Sequence, residues 1–218
     1  MASHGSRAAS GRWMLTVSEP EDAKAPQRLL KKLGDASDPD ARWQSALEIY
    51  AEVLFEKARR LEKARLTYNK GIALFRGGEI EKARDEFSKA LSLNPELTEA
   101  ANSLAYTLAV LGEGLEEAEK MIRRVLAKSR ANRALYLDTL GLVLHKQGRN
   151  EEARQVLGEA AKRCSKGDEK LLAEIYYHLG ISSAPGSDSR RQALLRAIEF
   201  DPDGQWGRRA AALLEGRR

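Results

Sequence analysis

Few residues of this sequence could carry out chemistry, and their spacing does not assemble a catalytic centre. Histidine can act as a general acid, a general base or a metal ligand, and cysteine as a nucleophile. Neither His145 nor His178 has a Cys, Ser or carboxylate pair at a spacing that predicts a nucleophile or a metal site. Cys164, the single cysteine, is interpreted as a half-exposed thiol at the end of a helix. We therefore predict no catalytic residue, no metal, no cofactor and no enzymatic activity.

The composition predicts a helical, soluble protein of a reducing compartment. Of the 218 residues 6% are aromatic and six are proline, whereas Ala, Leu, Glu, Lys and Arg dominate, and these favour helix. One cysteine cannot form an intrachain disulfide, and the N-terminus lacks the apolar core of a secretory signal. No stretch approaches the roughly 20 apolar residues of a membrane span. The predicted location is cytoplasmic.

The N-terminal residues allow two interpretations. Residues 1–18 contain Arg7 and Arg12, several Ser and Ala, and no acidic residue, which is weakly similar to an organelle transit peptide. A disordered leader over residues 1–24 is the interpretation that we prefer, because this stretch has too few apolar residues to form a packed core.

A repeat of about 35 residues dominates the rest of the sequence. Ala90, Val125 and Ala160 follow one another at intervals of 35 residues, and Ala197 follows after 37. Each repeat predicts two helices joined by a turn that contains glycine. Small residues occur where the two helices of a hairpin must approach closely, namely Gly71, Ala105, Gly141 and Gly180 in first helices and Ala83, Ala118 and Ala153 in second helices. Larger residues are predicted to fill the space between hairpins: Phe87, Ile122, Leu157 and Leu194.

This pattern resembles the tetratricopeptide repeat (TPR) family over residues 64–202. The resemblance implies an all-α fold, a right-handed α-solenoid of helix-turn-helix repeats with a C-terminal capping helix. Ser182–Ser187 is predicted to shorten the first helix of the fourth repeat. The predicted organisation is a disordered leader (1–24), a degenerate half repeat (25–63), three repeats (64–97, 98–133 and 134–172), a degenerate fourth repeat (173–203) and a capping helix with a basic tail (204–218).

First helices line the concave surface of such an array, and here they carry more apolar and aromatic residues than a solvated face requires. We predict a groove that binds a peptide or helix of a partner protein. The N-terminal residues, the C-terminal helix or a sharp curvature could instead cover this surface. The predicted groove residues are Tyr68, Ile72, Phe75, Asn102, Tyr106, Asp138, Leu142, His145, Tyr177 and Ile181.

Two alternatives stand beside a binding adaptor. A structural subunit or self-associating protein would use the ends and the convex face, and the oligomeric state is left open. Nucleic acid or an acidic protein could bind a basic surface, but no aromatic residue is interleaved with it, which argues against nucleic acid. That basic surface comprises Lys120, Arg123, Arg124, Lys128 and Arg130. The Lys and Asn of the TPR clamp for acidic chaperone tails are replaced by Tyr68 and Ile72, which argues against that partner.

Overall fold

The computed structural model describes the backbone of residues 39–216 and the side chains of residues 45–216. Within that range the chain forms α-helices and no strand. A first compact unit ends at Ala58 and a second begins at Arg59. The leader predicted at 1–24, the start of the half repeat and the last two residues of the basic tail lie outside the described residues. The helices are α1 (Pro39–Arg76), α2 (Ile80–Leu93), α3 (Thr98–Leu111), α4 (Leu115–Lys128), α5 (Arg133–Lys146), α6 (Asn150–Arg163), α7 (Glu169–Ile181), α8 (Asp188–Phe200) and α9 (Gln205–Leu214).

Helix α1 runs without interruption across the predicted boundary between the half repeat and the first repeat. The predicted start of the first repeat at residue 64 therefore lies inside α1, which is one helix of 38 residues. The continuity of α1 has a local reason. No Gly or Pro occurs between Pro39 and Gly71, and the stretch is rich in Glu, Lys, Arg, Leu and Ala. Nothing therefore ends the helix. Pro39 begins it, at a place where the missing N–H of proline is tolerated.

The helices after α1 form hairpins that stack on one another. Helix α3 packs on α4, α5 on α6 and α7 on α8, and successive hairpins meet through α2–α3, α4–α5 and α6–α7. Helix α9 packs on both α7 and α8, as a capping helix should. The second unit is thus an all-α solenoid. Among residues 39–216, none of the helices combines the length and the apolar composition that a membrane span requires.

The core of the solenoid includes the four larger residues of the repeat pattern, and Leu157 there packs against Gly141 of its own hairpin. Phe87, Ile122, Leu157 and Leu194 are all fully buried, and each such burial contributes about 1.5–3 kcal/mol. The alanines predicted to allow close approach, Ala83, Ala118 and Ala153, are fully buried as well. The predicted burial of these residues is confirmed.

The fourth hairpin is more regular than predicted. Helix α7 begins at Glu169, before the expected boundary at residue 173, and has 13 residues like α8. The Ser182–Ser187 segment follows the helix instead of shortening it. Ser187 caps α8, because its hydroxyl accepts a hydrogen bond from the backbone N–H of Arg190 at 3.2 Å.

Candidate functional site

The candidate site is built around helix α5. This helix packs against α3, α4, α6 and α7. The hydroxyl of Tyr106 on α3 donates a hydrogen bond of 2.9 Å to Glu174 Oε1 on α7, across 68 residues of sequence. Helices α3 and α7, the first helices of the second and fourth hairpins, are therefore in contact with each other. Both also pack against α5, the first helix of the third hairpin.

Four side chains form a polar cluster where these helices meet: Tyr106, Asp138, Glu174 and His178. His178 Nδ1 lies 2.8 Å from Asp138 Oδ1, and these two residues are 2% and 0% exposed. The other carboxylate oxygen, Asp138 Oδ2, is buried without a hydrogen-bond partner in the described part of the chain. One ligand atom each from Asp138, Glu174 and His178 can be chosen so that all three lie within 4.8 Å of one another.

The electrostatics of the polar cluster follow from its burial and from its two carboxylates. Burial, and then the Asp138 carboxylate, raise the pKa of Glu174 to about 7. Burial lowers the pKa of His178, but its attraction to Asp138 and their hydrogen bond outweigh this effect, so the His178 pKa lies above its ordinary value. Burial and the same two carboxylates raise the pKa of Tyr106. Negative charge is therefore crowded in this cluster.

Aromatic rings surround the polar cluster. The ring centroid of Tyr106 lies 5.8 Å from Phe75 and 6.5 Å from His178. Trp206 of α9 lies 5.3 Å from His178 and 5.2 Å from Tyr177. The C-terminal helix thus covers the inner surface at α7, which is one of the alternatives that the sequence allowed.

The predicted groove is only partly accessible. Asn102, Asp138 and Leu142 are buried, so the prediction that these three face a partner is wrong. Tight packing around α5 is the reason, because it removes the free face that a first helix was expected to keep. Six other predicted residues are half-buried, and their role in binding stays a prediction: Tyr68, Ile72, Phe75, His145, Tyr177 and Ile181. Tyr106, also half-buried, belongs to the polar cluster.

Glu174 is the functional candidate that the sequence reasoning missed. It lies four residues before His178, so both side chains occupy one face of α7. Asn102, Asp138 and Glu174 also recur at intervals of 36 residues, which is close to the repeat length. That recurrence of polar residues on inner helices could have identified the polar cluster, and it corrects the statement that His178 has no carboxylate partners.

Beside the polar cluster lies an open cavity of about 720 Å³, here called the basic depression. The N-terminal ends of α5 and α7 border it, and Trp206 and Glu174 are among its lining residues. Leu135 and Leu171 add apolar area. Four basic residues also line it: Arg130, Arg133, Arg163 and Lys170.

The basic surface predicted on α4 is partly neutralised. Arg123 pairs with Glu119 at 2.8 Å, and Lys128 pairs with Glu96 at 2.6 Å. Arg124 lies 3.4 Å from the same Glu96. Exposed pairs of this kind leave less free charge for a polyanion, and Lys120 and Arg130 complete the surface as exposed residues.

The environment of Cys164 does not favour a thiolate. This residue is half-buried at the end of α6, and burial, followed by the nearby acidic residues Asp168 and Asp138, raises the pKa of its thiol to about 11. The nucleophilic form of cysteine is the thiolate. Cys164 is accordingly held as a thiol at neutral pH.

Stacked helical hairpins with small residues at their contacts define a helical repeat protein. The sequence model of the family described as "Tetratricopeptide repeat" matches residues 64–97, the first complete hairpin. The chain belongs to the tetratricopeptide repeat family. Proteins with such repeats generally mediate protein–protein interaction.

Known proteins resemble parts of this chain. It is 33% identical over 88 residues to "Photosystem I assembly protein Ycf3" of Acaryochloris marina, covering 40% of this chain and 53% of that protein. It is 26% identical over 133 residues to "Tetratricopeptide repeat protein 36" of Homo sapiens, covering 60% and 66%. The chain thus spans about half the length of the Ycf3 relatives that it matches. A solved structure of pilF of Pseudomonas aeruginosa shares the fold, with a TM-score of 0.53 at 24% identity over 66% of this chain and 64% of that one.

Proposed function

We propose that this chain is an adaptor that binds a peptide or helical segment of a partner protein in the basic depression. The observation that carries this proposal is the cavity itself, whose volume of about 720 Å³ falls within the range of about 300–1,000 Å³ typical of ligand sites. An adaptor role agrees with the family, and Ycf3, a relative in part of its length, is described as an assembly protein.

The lining of the basic depression indicates the chemistry of the bound segment. Leu135 is 37% exposed, and Leu171 and the Trp206 ring lie beside it in the lining, so an apolar side chain can be buried there. Four basic residues and two acidic ones, Asp168 and Glu174, line the depression. Arg163 among them is paired with Glu159 at 2.8 Å, so three basic residues remain for a bound segment. A segment with an apolar anchor and acidic neighbours complements such a surface.

Panning a random peptide phage library against the purified chain tests the adaptor proposal. We expect enriched peptides to bind at least about tenfold more weakly to Leu135→Glu, because the carboxylate removes apolar area from the depression and repels acidic residues. The matched control is Leu195→Glu, since Leu195 is 49% exposed on α8 and does not line the cavity. Equal affinities for Leu135→Glu and the unchanged chain would contradict the proposal.

A second candidate function, self-association, rests on the part of α1 within the first unit. Leu47, Tyr50, Leu54 and Phe55 are each more than half exposed. The first three are spaced by three and four residues, and so form one stripe along the helix. A stripe with this spacing is typical of helices that pack on a second helix.

Light scattering coupled to size exclusion decides between a monomer and a self-associated chain. If the stripe mediates association, the mass exceeds that of one chain, and Leu47→Glu with Leu54→Glu returns it to one chain. Glu52→Lys changes charge on the opposite side of the same helix and should leave the mass unaltered. A single-chain mass at all protein concentrations rules out this second function.

A further inference from the structure

We propose that Asp138, Glu174 and His178 form a binding site for a divalent first-row transition-metal ion. The site goes beyond the adaptor function and would be occupied with or without a bound peptide. It combines one imidazole with two carboxylates, which is a donor set that suits zinc, manganese, iron and cobalt.

The backbone brings the three donors together. Glu174 and His178 share one face of α7, and Asp138 is supplied by α5. Their ligand atoms lie within 4.8 Å of one another, and His178 Nδ1 lies 2.8 Å from Asp138 Oδ1. Donor atoms usually lie about 2.0–2.2 Å from such an ion. Two donors 2.8 Å apart then make an angle of roughly 80–90° at the metal, which is closer to octahedral than to tetrahedral geometry.

The balance of charge supports a cation. Two carboxylates share this site with one histidine, and buried charge that is not compensated is strongly unfavourable. Asp138 Oδ2 is buried and lacks a hydrogen-bond partner among the described residues. A divalent ion would neutralise both carboxylates and could coordinate this oxygen. His178 supplies at most one positive charge at the site, and the other nearby cation, Arg209, lies over the Trp206 ring at 5.0 Å from its centroid.

The residues around the three ligands hold the Glu174 carboxylate in place and leave the site open to solvent. Tyr106 donates its hydrogen bond to Glu174 Oε1, which leaves Oε2 available and holds the carboxylate in place, as outer-shell partners of metal ligands do. The rings of Tyr106, Tyr177 and Trp206 flank the imidazole of His178. Glu174 also lines the basic depression, so an ion can reach the ligands from solvent. On binding at Nδ1, the ion replaces the proton that His178 shares with Asp138, and that proton is released.

Titration of the EDTA-treated full chain with CoCl₂ tests the metal site directly. We expect visible absorption bands of protein-bound Co²⁺ and a melting temperature that rises with metal concentration. Zn²⁺ and Mn²⁺ should compete for the same site. Asp138→Asn and Glu174→Gln should each weaken Co²⁺ binding at least about tenfold.

Matched variants separate the site from the fold and from other donors. Cys164→Ser removes the single thiol and leaves all three ligands and Tyr106 in place, so it should bind Co²⁺ like the unchanged chain. Tyr106→Phe retains the three ligands but loses the hydrogen bond to Glu174, so it should bind Co²⁺ more weakly. Glu174 is half-buried, so Glu174→Gln supplies the comparison if Asp138→Asn does not fold. Absence of bands and of thermal stabilisation with all three metals would overturn the proposal, as would unchanged affinity in Glu174→Gln. Peptide binding in the basic depression is measured without metal, so the adaptor proposal and the metal-site proposal can each fail while the other holds.

Discussion

Leu157→Ala is expected to lower the free energy of unfolding by about 2–5 kcal/mol. Leu157 is fully buried on α6 and belongs to the main hydrophobic core together with Leu144 and Ile175. Truncation removes apolar contacts and leaves a cavity that the rigid hairpins on either side fill only in part. Urea denaturation followed by circular dichroism measures the loss.

Leu195→Ala is the matched control for this core substitution. The same side chain is removed there from a helix surface that is 49% exposed, and surface changes of this kind alter stability by about 0.5 kcal/mol or less. A loss below about 1 kcal/mol for Leu157→Ala would show that the packing between the third and fourth hairpins is looser than described.

Gly141→Ala is expected to destabilise the protein by about 1–3 kcal/mol, although alanine is the better helix former. A Cβ added at Gly141 would lie 2.5 Å from Leu157 Cδ2, well inside contact distance. The two helices of the third hairpin must then separate, or Leu157 must leave its position. The measurement is again the free energy of unfolding.

Gly158→Ala is the control with the opposite sign. Gly158 lies within α6, and a Cβ there meets nothing within 4 Å, so the substitution should stabilise the helix by about 0.5–1 kcal/mol. The loss of stability caused by Gly141→Ala should also be smaller in a Leu157→Ala background, because the Leu157 side chain that the new Cβ would contact is absent. Additive losses in the double variant would contradict the proposed contact.

The repeat core could be predicted from sequence because it depends on neighbours at fixed spacing. Gly141 and Leu157 are 16 residues apart, as are Gly71 and Phe87, and each pair is in close contact. The type and spacing of residues within one hairpin therefore determine which side chains meet.

The exposure of residues on the first helices could not be predicted to the same degree. It depends on the angle through which each hairpin is rotated relative to the one before it. Asp138 and Leu142 occupy positions that stay accessible in an open array, yet both are buried here. The rotation is the sum of small shifts at several contacts, and no single residue encodes it. The repeat boundary at residue 64 lies within α1, because a repeat can begin at a position where no residue ends the helix.

The hydrogen bond between Tyr106 and Glu174 has a consequence for cooperativity. Arrays of repeats are commonly treated as one-dimensional chains, in which each unit interacts with its immediate neighbours alone and the ends can fray separately. A contact that skips a repeat breaks this rule, because the fourth hairpin cannot detach without also disturbing the second. Together with Trp206 of α9 packed on His178, it joins α3, α5, α7 and the capping helix into one block that should melt together.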